Sequence, residues 1–273
     1  LALNLTLETE NTEVIEVTGS RLIASEMGST SPSTNFNLTD LEFAASADRD
    51  IKDLVRIDPR INIEESDGEE AIICGGSSPR SSGLTVDGVR MNDSFGLNFN
   101  GYPTVRMPFS FSSLDQVTVE IAPFDVQFGG FTGCNINAVT KSGTNELHGS
   151  VFYDYSNDSM RGDKIEGEDI DTGDYSEKRY GFDIGFPLIQ DKLFVFAAYE
   201  KLEGAQIFQY DALNNQISQA ELDRAIQIAQ DVYGYDAGGM PASMPVEDEK
   251  VLIKVDWNIN DAHRASLVYN YND

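Results

Sequence analysis

The part of the sequence after Asn145 carries the pattern that most restricts the fold. Five segments of about ten residues each place apolar side chains on one face and polar or mixed side chains on the other. The apolar faces consist of Leu147, Gly149, Val151, Tyr153 and Tyr155; Tyr180, Phe182, Ile184 and Phe186; Leu193, Val195, Ala197 and Tyr199; Val251, Ile253, Val255 and Trp257; and Ala265, Leu267, Tyr269 and Tyr271. A tilted β-strand that crosses a membrane has this length and period, because only its lipid-facing side must be apolar.

The connections between these segments favour the same interpretation. They run long, short, long, short, over residues 157–177, 188–192, 204–247 and 259–262. Barrels of outer membranes have short turns at one end and long loops at the other, whereas a soluble β-sandwich has no reason to alternate in this way. We therefore predict antiparallel transmembrane strands. The alternative is a soluble β-rich binding domain that folds without detergent.

The charge of the chain excludes one class of partner. Among 273 residues, Lys and Arg number 19 and Asp and Glu number 46, which gives a net charge of −27. Nucleic acid is excluded as a partner, because its phosphates require Lys and Arg. The two histidines, His148 and His263, lie far apart, and nothing singles out a catalytic pair of carboxylates. We expect neither an enzyme nor a metal or cofactor site.

Residues 34–145 predict a separate α+β domain. A helix should begin at Asp48 or Asp50 and end before Pro59, and short strands should follow. The residues Asp87 and Gly88 stand between two β-prone runs. Asp-Gly is a strong hairpin signal, because a type I′ turn needs positive φ at both central positions.

Residues 92–111 predict a long loop inside this domain, with several glycines, prolines and aromatic side chains. A long structured loop in a compact domain is more often functional than accidental. We interpret it as a ligand-facing apex. Its candidate residues are Asn92, Asp93, Phe95, Asn98, Phe99 and Tyr102.

The only two cysteines, Cys74 and Cys134, fall in or beside predicted strands of this domain. Two thiols in a chain that matures outside the cytoplasm are candidates for a disulfide. Closing a loop of about 60 residues would stabilise the fold by about 4 kcal/mol. We predict the disulfide, and the alternative is two buried, reduced thiols.

Two short segments near the N-terminus have β-strand character. Residues 1–8 alternate leucine with other residues, which indicates the last strand of an upstream domain or a frayed terminus. The segment Glu13-Val14-Ile15-Glu16-Val17-Thr18 is a β-prone island in a polar, flexible stretch. Such an island can pair with the exposed sheet edge of a partner. A strand that pairs inside its own domain is the alternative.

Two features of the predicted outer loops complete the pattern. Residues 158–177 are dense in carboxylates, which indicates either a calcium-binding loop or a solvated surface loop. The residues Ser218 and Glu221 have the spacing of a capping box at the start of a helix. We interpret that helix as loop scaffolding.

Three stretches resemble motifs of the TonB-dependent outer-membrane receptors, most closely the Oar-like branch. Residues 84–89 resemble the hairpin of the plug domain, 117–129 resemble a plug strand and its crossing, and 136–150 resemble the closing plug strand and its linker to the barrel. The motif residues are Val86, Asp87, Gly88, Pro123, Gly129, Gly130, Gly133, Asn137, Thr140, Lys141, Ser142 and Gly143. We expect Gly129, Gly130 and Gly133 to allow tight backbone turns. Residues 142–145 should tether the plug to the wall.

The resemblance implies a division of the chain into four parts. Residues 1–8 would end an upstream carboxypeptidase regulatory-like β-domain, 9–33 form a flexible tail, 34–145 form the α+β plug and 146–273 form the first transmembrane β-barrel strands and outer loops. The plug and tail would lie on the periplasmic side of the outer membrane. The barrels of such transporters have about 22 strands, of which this chain would supply about five.

The resemblance also implies partners and a function. Residues 13–18 would be the TonB box, which pairs with TonB and its inner-membrane energising complex. The barrel strands would contact outer-membrane lipid. The receptor would import a small-molecule, glycan or peptide substrate. The alternative is an outer-membrane adhesion or structural protein on the same scaffold, which would have no need of a pairing segment.

Overall fold

The computed structural model shows an α+β domain followed by long antiparallel strands, which confirms the predicted fold class. It describes residues 33–37, 40, 49–66, 69–121, 129–160, 162, 164–165, 168–169, 176–207, 218–238 and 243–273. Among these residues, no helix is long and apolar enough to cross a membrane.

In its described part, the first domain contains short strands, the α-helix at Ile51–Val55 and 3-10 turns. Its elements are β1 (Ser33–Phe36), α1 (Ile51–Val55), β2 (Ile61–Ser66), β3 (Glu69–Cys74), 3-10 turns at Pro79–Ser81 and Phe111–Ser113, β4 (Gly83–Val86), β5 (Val89–Arg90), β6 (Leu114–Ile121) and β7 (Cys134–Thr140). We call the described residues from 33 to 145 the plug domain.

Among its described residues, the second region contains the long strands and the helix at Gln219–Tyr233. Its elements are β8 (His148–Asn157), a 3-10 turn at Asp158–Met160, β9 (Lys164–Ile165), β10 (Glu168–Asp169), β11 (Ser176–Ile189), β12 (Leu193–Ile207), α2 (Gln219–Tyr233), β13 (Ser243–Asn260) and β14 (His263–Asn272). We call β8, β11, β12, β13 and β14 the wall sheet.

The plug domain is built on a five-stranded sheet with the order β1-β6-β7-β4-β5. Strand β7 is central: it pairs antiparallel with β6 and parallel with β4, with Ile136 opposite Val119 and Leu84. Strand β1 pairs antiparallel with β6 at one edge. Strands β2 and β3 form a separate antiparallel hairpin.

The core of the plug domain forms where the helix, the strands and the long loop meet. Alternation places Val117 and Val119 of β6 and Ile136 of β7 inside, and none of the three is measurably exposed. The other buried members of this apolar cluster are Phe36, Ile51, Leu54, Val55, Ile61, Ile72, Cys74, Leu84, Val86, Tyr102, Met107, Phe109, Leu114, Cys134 and Ala138.

Two local predictions in the plug domain are confirmed. Helix α1 begins after Asp50, whose carboxylate accepts a hydrogen bond from the backbone N–H of Lys52 at 2.9 Å. The hairpin between β4 and β5 turns at Asp87 and Gly88, which have φ values of 49° and 81°. Both lie in the left-handed region that a type I′ turn requires.

The wall sheet is an antiparallel meander with the order β14-β13-β12-β11-β8. Strands β11, β12 and β13 have 14, 15 and 18 residues, so they are longer than the predicted ten. They continue into residues 176–177, 204–207 and 243–247, which the sequence pattern alone assigned to loops. The two tight turns between strands lie at residues 190–192 and 261–262, as predicted.

The chain divides into two compact units. The first contains the described residues up to Ser150, together with 183–198 and 252–270; the second contains the described residues within 151–182, 199–251 and 271–273. Helix α2 belongs to the second unit. Its predicted capping box is present, because Ser218 and Glu221 exchange hydrogen bonds.

Candidate functional site

The wall sheet buries charge and exposes apolar side chains. On the buried faces of β11, β12 and β13 lie Arg179, Asp183, Glu200, Asp248, Lys250, Lys254 and Asp256. On the opposite faces, Trp257 is 48% exposed and Leu267 of β14 is 70% exposed. The buried face also carries Phe196 and Leu252, so it is mixed, and an exposed apolar face opposite a partly charged one is the pattern of strands that have lipid on one side.

The buried charges of the second unit are paired. Lys250 Nζ lies 2.9 Å from Asp248 Oδ2 and 3.8 Å from Glu200 Oε1. Arg179 Nη2 lies 3.3 Å from Glu177 Oε1. Burial of an unpaired charge is costly, so these pairs allow the buried face of the sheet to carry charge.

Within the first unit, a buried lysine of the wall sheet holds the plug hairpin. Lys254 Nζ of β13 lies 3.4 Å from Asp87 Oδ1, 3.2 Å from the backbone O of Thr140 and 3.3 Å from Thr140 Oγ1. Asp87 Oδ1 also accepts a hydrogen bond from the backbone N–H of Thr140 at 3.0 Å. The side chains of Lys254 and Asp87 are 2% and 3% exposed. We call these three residues the hairpin anchor.

The linker after β7 is tied to the wall sheet at two points. A Cβ atom on Gly143 would lie 2.5 Å from the backbone O of Val195 and 2.9 Å from its N, so only glycine fits this approach. Asn145 and Asp191, in the turn between β11 and β12, exchange hydrogen bonds of 2.7 and 2.8 Å. These contacts support the predicted tether at residues 142–145.

A disulfide joins Cys74 to Cys134, with the Cα atoms 5.7 Å apart. It connects the end of β3 to the start of β7 across 60 positions of sequence. Of the three glycines expected to allow tight turns here, Gly130 has a positive φ of 75°, whereas Gly129 and Gly133 do not have positive φ. Gly133 instead faces the hydroxyls of Ser77 and Ser82, where a Cβ atom would lie too close.

A buried ion pair fixes the first strand of the plug domain. The guanidinium of Arg60 donates to Asp58 Oδ2 at 2.6 Å and to Thr34 Oγ1 of β1 at 2.8 Å, and Thr34 Oγ1 donates to Asp58 Oδ2 at 2.6 Å. Hydrogen bonds from the Arg60 side chain, more than any other contact, hold the pKa of the Asp58 carboxyl far below its usual range. We call these three residues the β1 clamp.

In the loop at residues 92–111, which was predicted to face a ligand, fewer side chains are exposed than expected. Asp93 accepts hydrogen bonds from the backbone N–H groups of Phe95, Leu97 and Asn98, which lower the pKa of its carboxyl. Phe95 and Leu97 are 87% and 81% exposed, so the loop tip is apolar.

The other candidate apex residues have structural contacts. Asn92 binds the backbone of Leu84 and Ser82, and Asn98 donates to the backbone O of Tyr102. Tyr102 is 2% exposed in the core, and Phe99 is half-buried. A ligand-facing position for the Tyr102 side chain was therefore a wrong prediction, because this aromatic ring packs inward.

Several predicted sites lie outside the described residues. These are Glu13 to Thr18, Pro123 and most of the carboxylates of the acidic loop. In the part of the chain that the structure describes, no group of three His, Cys, Asp or Glu side chains is placed to hold a metal ion. Two of the remaining motif residues lie in or directly after β7. Asn137, in the middle of the strand, accepts a hydrogen bond from Thr85 Oγ1, and the N–H of Lys141 donates to the backbone O of Ser113.

Sequence reasoning did not identify the hairpin anchor or the β1 clamp as sites. The signal for the anchor was present, since Lys254 falls on the polar face of a predicted strand. Its partner could not be inferred, because Asp87 lies 167 positions away.

The sequence and the fold are similar to those of known outer-membrane proteins. Residues 139–210 match the family described as outer membrane beta barrel domain. The TonB-dependent transporter Oar of Myxococcus xanthus is 29% identical over 202 residues, which cover 68% of this chain and 18% of Oar. The probable TonB-dependent siderophore receptor PirA of Acinetobacter baumannii is 27% identical over 221 residues, which cover 76% of this chain and 26% of PirA.

Solved structures show the same fold. The outer membrane transporter YddB from Escherichia coli aligns with a TM-score of 0.62 at 18% identity, over 88% of this chain and 32% of YddB. The siderophore receptor PirA from A. baumannii aligns with a TM-score of 0.60 at 21% identity, over 89% of this chain and 31% of PirA. The chain thus spans less than a third of these relatives, which are named as transporters and receptors rather than as enzymes. In sequence and in fold, the chain is thus similar to the TonB-dependent outer-membrane receptors, and it spans a fragment of their length.

Proposed function

We propose that the chain forms the plug and first barrel strands of an outer-membrane receptor that imports a substrate with energy transmitted by TonB. The hairpin anchor is the observation that best supports this proposal. A folded domain is held by a buried ion pair to one face of a sheet whose other face is apolar. This is the arrangement that a plug inside a lipid-facing wall requires.

The proposal also gives the orientation of the chain in the outer membrane, and with it the direction of transport. The tail before Ser33 and the plug lie on the periplasmic side, and the long connections between wall strands lie outside the cell. TonB, with its inner-membrane energising complex, pairs with Glu13 to Thr18 by adding a strand to its own sheet. The substrate is a small molecule, glycan or peptide, and PirA, a siderophore receptor by name, makes a ferric siderophore the first probe to use.

The test is deletion of residues 13–18 in the full receptor. We expect the deletion variant to lose binding of the purified periplasmic domain of TonB, measured by titration calorimetry. Uptake of a labelled substrate should fail with it, while binding of that substrate at the cell surface is retained.

A matched control is deletion of residues 21–26, a segment of equal length in the same tail. This variant should bind TonB and transport as the parent does, because the pairing segment is intact. Unchanged TonB binding after deletion of 13–18 would refute the assignment of the TonB box. Retained uptake of the labelled substrate in that variant would refute the assignment as well.

A further inference from the structure

We infer that the disulfide between Cys74 and Cys134 divides the plug domain into a part that a pull on the tail can extract and a part that stays folded against the wall sheet. The extractable part is residues 33–74, and the retained part is residues 75–142. The origin of the pull rests on the proposed function. The division itself rests on covalent connectivity and on contacts within the first unit.

The covalent path of tension bypasses a large part of the domain. A pull that enters from the N-terminal side reaches Cys74 after β1, α1, β2 and β3 have left the fold. It then crosses the disulfide to Cys134 and continues along β7 into the linker. The disulfide joins the two ends of the 60-position loop between the cysteines, so the loop itself carries no tension. Tension therefore does not run through β4, β5, the loop at 92–111 or β6.

The pairing of strands matches this division. Strand β1 lies at the edge of its sheet and has four residues, and β2 and β3 form their own hairpin. Removal of these elements breaks pairing along one edge of the five-stranded sheet. By contrast, β7 is central and is paired along both sides, so its extraction requires breaking two ladders together.

The β1 clamp makes the extractable part move as one piece. Thr34 belongs to β1, whereas Asp58 and Arg60 lie in the turn before β2 and at its border. All three precede Cys74. A pull on β1 is therefore passed directly to the segment that leads into β2.

The hydrogen bonds described between the plug and the wall strands that follow fall on the retained part. Lys254 of β13 binds Asp87 and Thr140, and Asn270 of β14 donates a hydrogen bond to the backbone O of Pro108 at 2.9 Å. The linker is held by Gly143 against β12 and by Asn145 at the following turn. The retained part is thus fixed to the wall at several places. The path that a pull opens is limited to the space that β1, α1, β2 and β3 vacate.

The experiment is single-molecule pulling on the tail of the full receptor in a supported bilayer. In the oxidised protein, extraction up to Cys74 should lengthen the chain by roughly 140 Å, since an extended residue spans about 3.5 Å. The C74S/C134S variant, or the parent receptor after reduction, should gain roughly 200 Å more, because the 60-position loop is then released. Mass measurement after alkylation reports the state of the thiols in each sample.

Equal extraction lengths in the oxidised and the disulfide-free receptor would overturn the inference, and so would two freely alkylated thiols in the folded parent.

The K254M variant tests the hairpin anchor. In this variant β7 should be extracted at a lower force, while the first extraction length is unchanged. The matched control is K250M, a buried lysine of the same strand and face whose described ion pairs are with Asp248 and Glu200. Equal rupture forces for K254M and K250M would overturn the role of the anchor. The pulling experiment does not use TonB. Its result therefore does not depend on whether the deletion of residues 13–18 abolishes TonB binding.

Discussion

The plug sheet and the wall sheet follow the same rule of alternating side chains, but the wall sheet buries more charged side chains and exposes more apolar ones. In the plug sheet, Val117 and Ile136 are fully buried among other apolar side chains. In the wall sheet, Lys254 and Asp256 are 2% and 1% exposed, while Leu267 is 70% exposed. The period of two gives each strand two faces, and the surroundings of the sheet decide which face is hidden.

The difference teaches how each sheet is stabilised. Water drives the apolar faces of the plug together, so its stability comes from burial of apolar area and from a covalent link. The apolar side chains on the outward face of the wall sheet contribute no hydrophobic free energy of this kind, because lipid is as apolar as they are. Strand pairing and paired charges on the buried face carry more of the stability there.

The largest expected difference between the two sheets comes from removal of the disulfide. The C74S/C134S variant should lose about 4 kcal/mol of plug stability, because the unfolded chain is no longer constrained by the 60-position loop. Hydrogen exchange of the β7 amides should accelerate by up to about 1,000-fold at this cost. The measurement is exchange in the full receptor, followed by mass spectrometry.

The control for this prediction lies in the same molecule. Amides of β12 and β13 in the wall sheet should exchange at the parental rate, since neither cysteine belongs to that sheet. Equal acceleration in both sheets would mean that plug and wall unfold as one unit. The plug sheet and the wall sheet would then not differ in how they are stabilised.

A charge on the outward face of the wall should have the next largest effect. Leu267 lies near the middle of β14, and Leu267→Arg would place a guanidinium against lipid. The expected cost is about 3 kcal/mol near the bilayer midplane. It can be measured as a shift in the urea midpoint for folding of the full receptor into vesicles.

The matched control is Ser266→Arg, which puts the same charge on the other face of the same strand. That face contains the polar side chains of the sheet, so the cost should be well under half of that at Leu267. Equal costs at the two positions would show that β14 does not separate lipid from a polar interior.

Local signals allowed much of the fold to be predicted. The turn at Asp87 and Gly88 could be predicted because backbone geometry demands residues that tolerate positive φ. The capping box at Ser218 is a contact between residues three positions apart. The wall strands followed from alternation, but their lengths were underestimated. The acidic stretch that ends at Glu177 indicates a loop, whereas the strand of the structure already begins at Ser176.

The contacts that hold the plug to the wall could not be predicted from the sequence. Several buried charges share the polar faces of β11 to β13, and only the three-dimensional fold brings Lys254, rather than Lys250, to Asp87. The loop at 92–111 illustrates a second limit. Tyr102 and Phe95 both looked like exposed aromatics, yet one lies in the core and the other at the tip. Loop sequences carry no period that would separate the two positions.

The smallest of these effects is expected at the β1 clamp, where the plug buries charge as the wall does. Asp58→Asn keeps the shape of the side chain but removes the charge that Arg60 and Thr34 contact. The expected loss is about 2 kcal/mol, since hydrogen bonds to a charged group contribute about 1.5–3 kcal/mol. Urea unfolding of the plug domain in the full receptor measures this loss.

The pH dependence of the same transition identifies the charge as the cause. The pKa of Asp58 is depressed in the fold, so its contribution is present above the unfolded value of about 3.9 and is lost as the pH falls towards the folded pKa. The difference in the free energy of unfolding between the parent and Asp58→Asn should therefore be full at pH 6 and should shrink below about pH 4.

The control is Asp53→Asn. Its described ion pair with Arg56 has a distance of 3.7 Å, and the arginine side chain is 56% exposed. Such a pair contributes about 0.5 kcal/mol. If the Asp58→Asn difference stayed constant down to pH 3, lost packing rather than lost charge would explain it.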